Sequence, residues 1–219
     1  MKSILGVLGL VLVLVGTQAQ HLSCNPKTLG PEDLHQAEGD WVLVWLVHDK
    51  TKRPEVDPLP NFTSSHVEIR LWSNHSLKFH ERNVYAGGKC AMYTLNMTLP
   101  HNGHRLQVEG GEEHKDGEVK PYNDTAEAEF LHSSENTMNF LYHSNSHGTF
   151  LLIYMKEGHH RDVEVLQKHQ EEHRKLAQCL NLSGDNYEEW SYDGTADFCH
   201  RTSAPEEKKE EEKEKTEAS

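Results

Sequence analysis

A chain of 219 residues with a formal net charge of −13, 35% hydrophobic residues and four cysteines has the material for one domain with a sizeable core. Its acidity excludes nucleic acid and anionic membrane surfaces as partners. After the first 19 residues no run of about 20 apolar side chains occurs, so membrane insertion is excluded as well.

Residues 1–19 have the three parts of a signal peptide: Lys2, an apolar stretch over 4–15, and the small residues of Thr17-Gln18-Ala19 before the expected cleavage. The mature chain, starting at Gln20, is expected to be secreted and extracellular, in plasma or mucus. An even number of cysteines in an exported chain reads as two disulfides among Cys24, Cys90, Cys179 and Cys199, with three connectivities open. Five Asn-x-Ser/Thr sequons, at Asn61, Asn74, Asn96, Asn123 and Asn181, predict N-glycosylation on surface turns. At the other end, 205–219 holds seven glutamates and four lysines with no large apolar side chain. It cannot bury enough surface to offset its chain entropy and is expected to be a disordered tail. One folded domain over 20–204 remains.

Between these ends the chain reads as short β runs at 41–48, 66–72, 77–85, 90–99, 105–109, 126–132, 138–143 and 150–155, separated by turn-forming residues. The polar stretch 110–124 reads as a loop at the rim. Eight strands with mostly short links predict an all-β fold, an eight-stranded antiparallel up-and-down barrel. Period-two alternation puts Val67, Ile69 and Leu71 on one face, and likewise Met138, Phe140 and Tyr142, and Phe150, Leu152 and Tyr154. Leu95 and Met97 point inward if Asn96 carries a glycan outside. Over 161–180 the period changes: Val163, Leu166, Leu176 and Leu180 form a helical stripe, with Asp162 at its start and Arg174 and Lys175 near its end. One C-terminal α-helix packed outside the barrel is expected.

Gly39-Asp40-Trp41, at the head of the first strand, resembles the opening of a lipocalin, and strands followed by one helix are in the order of that family. The strand beginning Cys90-Ala91-Met92-Tyr93, the helix ending Ala177-Gln178-Cys179-Leu180, Asp197-Phe198-Cys199 and the Glu/Lys-rich tail extend the likeness. Together they resemble the orosomucoid (α1-acid glycoprotein) branch over nearly the whole mature length. Gly39-Asp40-Trp41-Val42-Leu43-Val44-Trp45, Glu81-Arg82-Asn83 and Glu157-Gly158-His159-His160 look like its fish members, the tributyltin-binding and the saxitoxin- and tetrodotoxin-binding proteins.

That resemblance implies that Gly39 and Trp41 close the barrel base, and that Cys24 pairs with Cys179 and Cys90 with Cys199. Carried over by strand position, its ligand pocket implicates Val67, Ile69, His80, Arg82, Leu95, Met97, Phe140, Tyr142, Leu152 and Tyr154. Trp45, Tyr142 and Tyr154 are candidates for a cation–π contact. Arg82 stands where the mammalian relatives carry an acidic pocket residue. Pointing inward it would favour an anionic or amphipathic ligand, and pointing outward it is a solvated strand charge. A nitrogen of His80 is a candidate ligand for an organotin.

Seventeen histidines raise a metal question, and His169 and His173 share a helix face four residues apart. Spacing supplies no third ligand, so no metal site and no cofactor are expected. No nucleophile elbow, phosphate loop or His-Glu-x-x-His pattern is present, and a non-enzyme is expected. The expected function is reversible carriage of a small hydrophobic or amphipathic molecule, such as tributyltin, saxitoxin or tetrodotoxin, by a monomer. The alternative is an immunomodulatory acute-phase plasma glycoprotein of the α1-acid glycoprotein kind.

Overall fold

The computed structural model describes residues 26–49, 51, 62–101 and 103–200. The signal peptide, Cys24, the Asn61 sequon and the acidic tail lie outside them. In chain order the strands are β1 (Gly39–Asp49), β2 (Phe62–Ser73), β3 (Ser76–Tyr85), β4 (Lys89–Thr98), β5 (Leu106–Lys115), β6 (Glu118–Tyr122), β7 (Ala126–Leu131), β8 (Thr137–Ser144) and β9 (Gly148–Lys156). A helix, α1 (Val163–Cys179), and a last strand, β10 (Tyr187–Ser191), follow.

Each of β1, β2, β3, β4, β5, β7, β8 and β9 pairs antiparallel with the next, and β9 returns to β1. The result is the expected closed barrel of eight strands with one helix outside. β2 pairs with β1 only along Gly39–Val42, and β10 takes the same edge along Trp45–Asp49. No described helix is long and apolar enough to cross a membrane.

β1 serves two cores. Trp41, Leu43 and Leu46 belong to the cluster filling the barrel, whereas Val42, Val44, Trp45 and Val47 join the cluster beneath α1. Strict alternation would keep Leu43 and Trp45 on one face. Instead Leu43 pairs with Tyr154 and Trp45 with the adjacent Ile153. This one-residue bulge at Val44 inverts the phase of the strand. Trp45 therefore leaves the interior, which corrects its expected place in the pocket. Its indole Nε1 donates to Glu189 at 2.8 Å, and its ring lies 5.6 Å from that of His173 on α1.

The base is closed by a short 3-10 helix (Leu34–Ala37), to whose Ala37 carbonyl Trp41 Nε1 donates at 2.9 Å. Gly39 reaches this geometry with φ of 140°, a backbone region that side chains disfavour. On the far side Asp162 caps α1 by accepting from Val165 N at 3.1 Å. Leu166 and Ala177 are buried, with Leu176 and Leu180 packed beside them, whereas Val163 is exposed.

The stretch 110–124 is not a plain loop. β5 runs on through Gly110 and Gly111, turns at Asp116-Gly117 with φ of 53° and 82°, and returns as β6. Asp-Gly with both residues at positive φ is a two-residue hairpin turn, so the sequence held the signal. Cys90 is bonded to Cys199, 109 residues away. Cys179 is also disulfide-bonded and no described cysteine is free.

Candidate functional site in the calyx

β3 places the decisive side chains. Pairing with β4 sets Phe79 opposite Leu95, so Phe79, Glu81 and Asn83 point into the barrel while Lys78, His80 and Arg82 point out. Phe79 stacks on Phe140 at 5.2 Å and Phe140 lies 4.8 Å from Phe130, forming an aromatic floor. Above it opens a cavity of about 210 Å³ whose walls include Leu43, Leu46, Leu95, Phe150 and Leu152.

The polar part of this cavity is concentrated. Glu81 enters the cavity with Oε1 accepting from Asn83 Nδ2 at 3.1 Å and from Ser65 Oγ at 3.3 Å. Burial pushes its carboxyl above the usual value, and these two hydrogen bonds offset only part of that. No described lysine or arginine pairs with it. Around it stand Tyr85, Tyr93, Tyr122, Tyr142 and Tyr154. Tyr122 and Tyr142 meet hydroxyl to hydroxyl at 3.0 Å. Tyr154 is fully buried, and its hydroxyl has no hydrogen-bond partner among the described residues. Near the mouth, His147 lies 3.5 Å from Asp124. Burial opposes the charge of Asp124, but hydrogen bonds from Ser144 and Ser146 outweigh it and hold its carboxyl low.

An apolar cup with one buried carboxyl, a ring of phenols and an unpaired hydroxyl can do a definite thing. It can desolvate a compact ligand and fix a cationic group against a carboxylate and aromatic faces.

Of the residues implicated by strand position, Leu95, Phe140, Tyr142, Leu152 and Tyr154 line the cavity. Val67, Ile69 and Met97 are buried lower in the barrel core. His80 and Arg82 do not line the cavity. His80 is bonded to Thr94 Oγ1 at 2.7 Å, and Arg82 pairs with Glu68 at 2.9 Å on the outer wall. A one-residue difference in phase separates them from the interior, and the acidic residue inside is Glu81. Sequence reasoning missed it, although Phe79 and Leu77, apolar and in step with it, mark the inward face.

The sequons at Asn74, Asn123 and Asn181 sit at exposed positions and that at Asn96 on the outer face of β4. His169 and His173 lie with ring centroids 6.4 Å apart, and His169 Nδ1 meets Glu172 at 2.7 Å. No third ligand joins them among the described residues.

A closed calyx with an external helix and a capped base defines a class of barrel built to hold one small molecule, and the comparisons agree with the architecture. Over 208 residues the chain is 36% identical to saxitoxin and tetrodotoxin-binding protein 1 of Takifugu pardalis, and over 206 residues 35% identical to the second such protein of that fish. Each alignment covers 92% of this chain and 51% of the relative, so the chain spans about half the length of the curated relatives it matches. No family profile matches. Among solved structures, a biogenic amine-binding protein superposes with a TM-score of 0.54 at 7% identity, covering 78% of this chain and 85% of that one. The tryptamine complex of the amine-binding protein of Rhodnius prolixus gives 0.53 at 6% identity, over 75% and 83%. At such identities the likeness is one of fold. The chain belongs to the lipocalin family.

Proposed function

We infer that this protein is a secreted, N-glycosylated carrier that binds one compact amphipathic molecule bearing a cationic group, reversibly and without chemistry. The observation that supports it is Glu81, a carboxyl buried in an apolar calyx without a cationic partner and surrounded by five tyrosines. Leaving a carboxylate so placed is costly unless a ligand cation completes it. The cavity of about 210 Å³ is at the small end of ligand pockets (about 300–1,000 Å³), which favours a compact polar cation over a long acyl chain. Guanidinium toxins, named by the relatives from Takifugu pardalis, fit that description. Tributyltin bound through His80 loses its support, because His80 faces the outer wall.

The test is a titration of the intact, disulfide-bonded protein with saxitoxin, tributyltin and a fatty acid, followed by tryptophan fluorescence and native mass spectrometry. A one-to-one saxitoxin complex is expected, weakened about 10- to 100-fold in Glu81→Gln, as for loss of one charge-assisted hydrogen bond. Equal affinity in that variant, or saturable binding of the fatty acid alone, would overturn the reading.

A further inference from the structure

We propose that His66, Glu157 and His200, with Asp40 beside them, form a binding site for a divalent ion of the zinc class on the outer wall of the barrel, separate from the calyx. His66 stands on β2 with its side chain buried, Glu157 follows the end of β9, and His200 follows the disulfide-bonded Cys199. His66 Nε2 lies 3.6 Å from Glu157 Oε2, and His200 Nε2 lies 3.6 Å from Glu157 Oε1. One ligand atom from each residue falls within 4.8 Å of the others. Around a tetrahedral ion with nitrogen and oxygen ligands at about 2.0–2.1 Å, neighbouring ligand atoms are about 3.3 Å apart. The carboxylate is therefore near bonding position to both imidazoles, and the rings need to draw together only modestly. Two imidazoles and a carboxylate suit zinc, with a water or Asp40 as the fourth ligand.

The framework is held from several sides. Glu157 N donates to the Asp40 carbonyl at 2.9 Å, fixing the chain after β9. Phe198 is buried against His66 with centroids 6.3 Å apart, and Cys199 is tied to Cys90. The rings of His66 and His200 lie 4.2 Å apart.

Arg82 sets the strength of the site. Its Nη1 lies 3.2 Å from His66 Nδ1, and a guanidinium only donates, so His66 carries its proton on Nε2, the atom facing the carboxylates. Ion binding at Nε2 moves that proton to Nδ1 and turns Arg82 toward Glu68, which it already reaches at 2.9 Å. Asp40, whose Oδ1 lies 3.8 Å from His66 Nε2, is held through its other oxygen, Oδ2, by Arg70 at 3.1 Å, so it is the weakest of the ligands. Sequence spacing cannot reveal this group, since positions 66, 157 and 200 meet only through the barrel closure and the disulfide.

The experiment is equilibrium dialysis and calorimetry of the full chain with zinc chloride alone, with the visible absorption of added cobalt(II) as a report of tetrahedral coordination. One ion per chain should bind more tightly than the weak background of a histidine-rich surface. Glu157→Gln and His200→Ala, each checked for the Cys90–Cys199 bond and β circular dichroism, should weaken that ion by about tenfold or more. Arg82→Gln should tighten it, and the double variant His169→Ala/His173→Ala should leave it unchanged. Survival of the tight ion in folded His200→Ala, its loss in the helix double variant, or weaker binding in folded Arg82→Gln would overturn the proposal.

Discussion

Asn83 donates from Nδ2 to Glu81 Oε1 across 3.1 Å, two residues along the same inward row of β3. This neighbour orients the carboxyl without supplying a counter-charge, so burial still disfavours its ionised form. Burial raises the Glu81 pKa above its ordinary 4.5, so over the intervening range the folded protein holds the proton while the unfolded chain has lost it. The stability from that proton is complete below pH 4.5 and is lost as pH rises through the folded value. Glu81→Gln should therefore raise the melting temperature of the ligand-free protein at pH 7.4, by about 2–4 °C for each kcal/mol relieved. The gain should vanish toward pH 4. Scanning calorimetry of both proteins at pH 4 and 7.4 checks this, and equal melting temperatures at pH 7.4 would refute it.

Two histidines work in the opposite direction. Burial, then the nearby His169, holds His173 at about 4, against Trp45. Burial, then Arg161, holds His160 at about 4, with Tyr192 and Phe198 around it. The unfolded chain takes up these protons near pH 6.5, and the folded chain only near 4. Their contribution is therefore whole above pH 6.5 and is lost as pH falls toward 4. In a Glu81→Gln background, which removes the opposing trend, the melting temperature should decline over this window, and His173→Phe should make the decline shallower. A fluorescence red shift of Trp45 should accompany the acid limb as α1 lifts from the barrel.

The order of strands, the external helix and the Cys90–Cys199 pairing were legible because each rests on local pattern or on a resemblance spanning the whole chain. What escaped was phase. Trp45 is expected in the pocket as a cation–π candidate, and strict alternation would keep it on the face of Leu43, but the bulge at Val44 turns it under α1. A bulge is a two-against-one pairing with a neighbouring strand, and a single strand's sequence does not encode it. Glu81 is a different case. Counting by two from Leu77 and Phe79 reaches it directly, whereas assigning pocket positions by family place named Arg82 instead and left its direction open. The hairpin at Asp116-Gly117 was legible too, although the charged residues flanking it lack the apolar alternation that marks a buried strand.

Gly110 and Gly111 make a local test of why β5 passes the rim. At Gly111 an added Cβ would overlap the Thr94 carbonyl oxygen on β4, so the ladder must open to admit it. At Gly110 nothing lies within 4 Å, but φ is 134°, a region that costs a side chain about 1–3 kcal/mol. Gly111→Ala should thus destabilise by about 4 kcal/mol or more, and Gly110→Ala by less. Urea unfolding of the two variants settles the order, and the reverse order would show that β5 does not pack against β4 in this register.

The Cys90–Cys199 bond closes a loop of 109 residues in sequence, and it fastens the C-terminal segment that buries Phe198 against the barrel. Constraining so long a loop in the unfolded chain stabilises by about 4–5 kcal/mol in the chain-entropy model. For a domain of this size that corresponds to roughly 8–20 °C in melting temperature. Cys90→Ser/Cys199→Ser should lose stability on that scale while keeping its β spectrum, because the eight-strand ladder closes through β1 and β9 without the disulfide. Protease cleavage should then appear first around 193–200. Zinc affinity should fall with it, since His200 is held to His66 and Glu157 through this bond, while saxitoxin affinity, which depends on Glu81 inside the calyx, should change little. Loss of both together, in a protein that still shows the β spectrum, would mean that the outer wall and the calyx are coupled through β2 and β3 and are not independent sites.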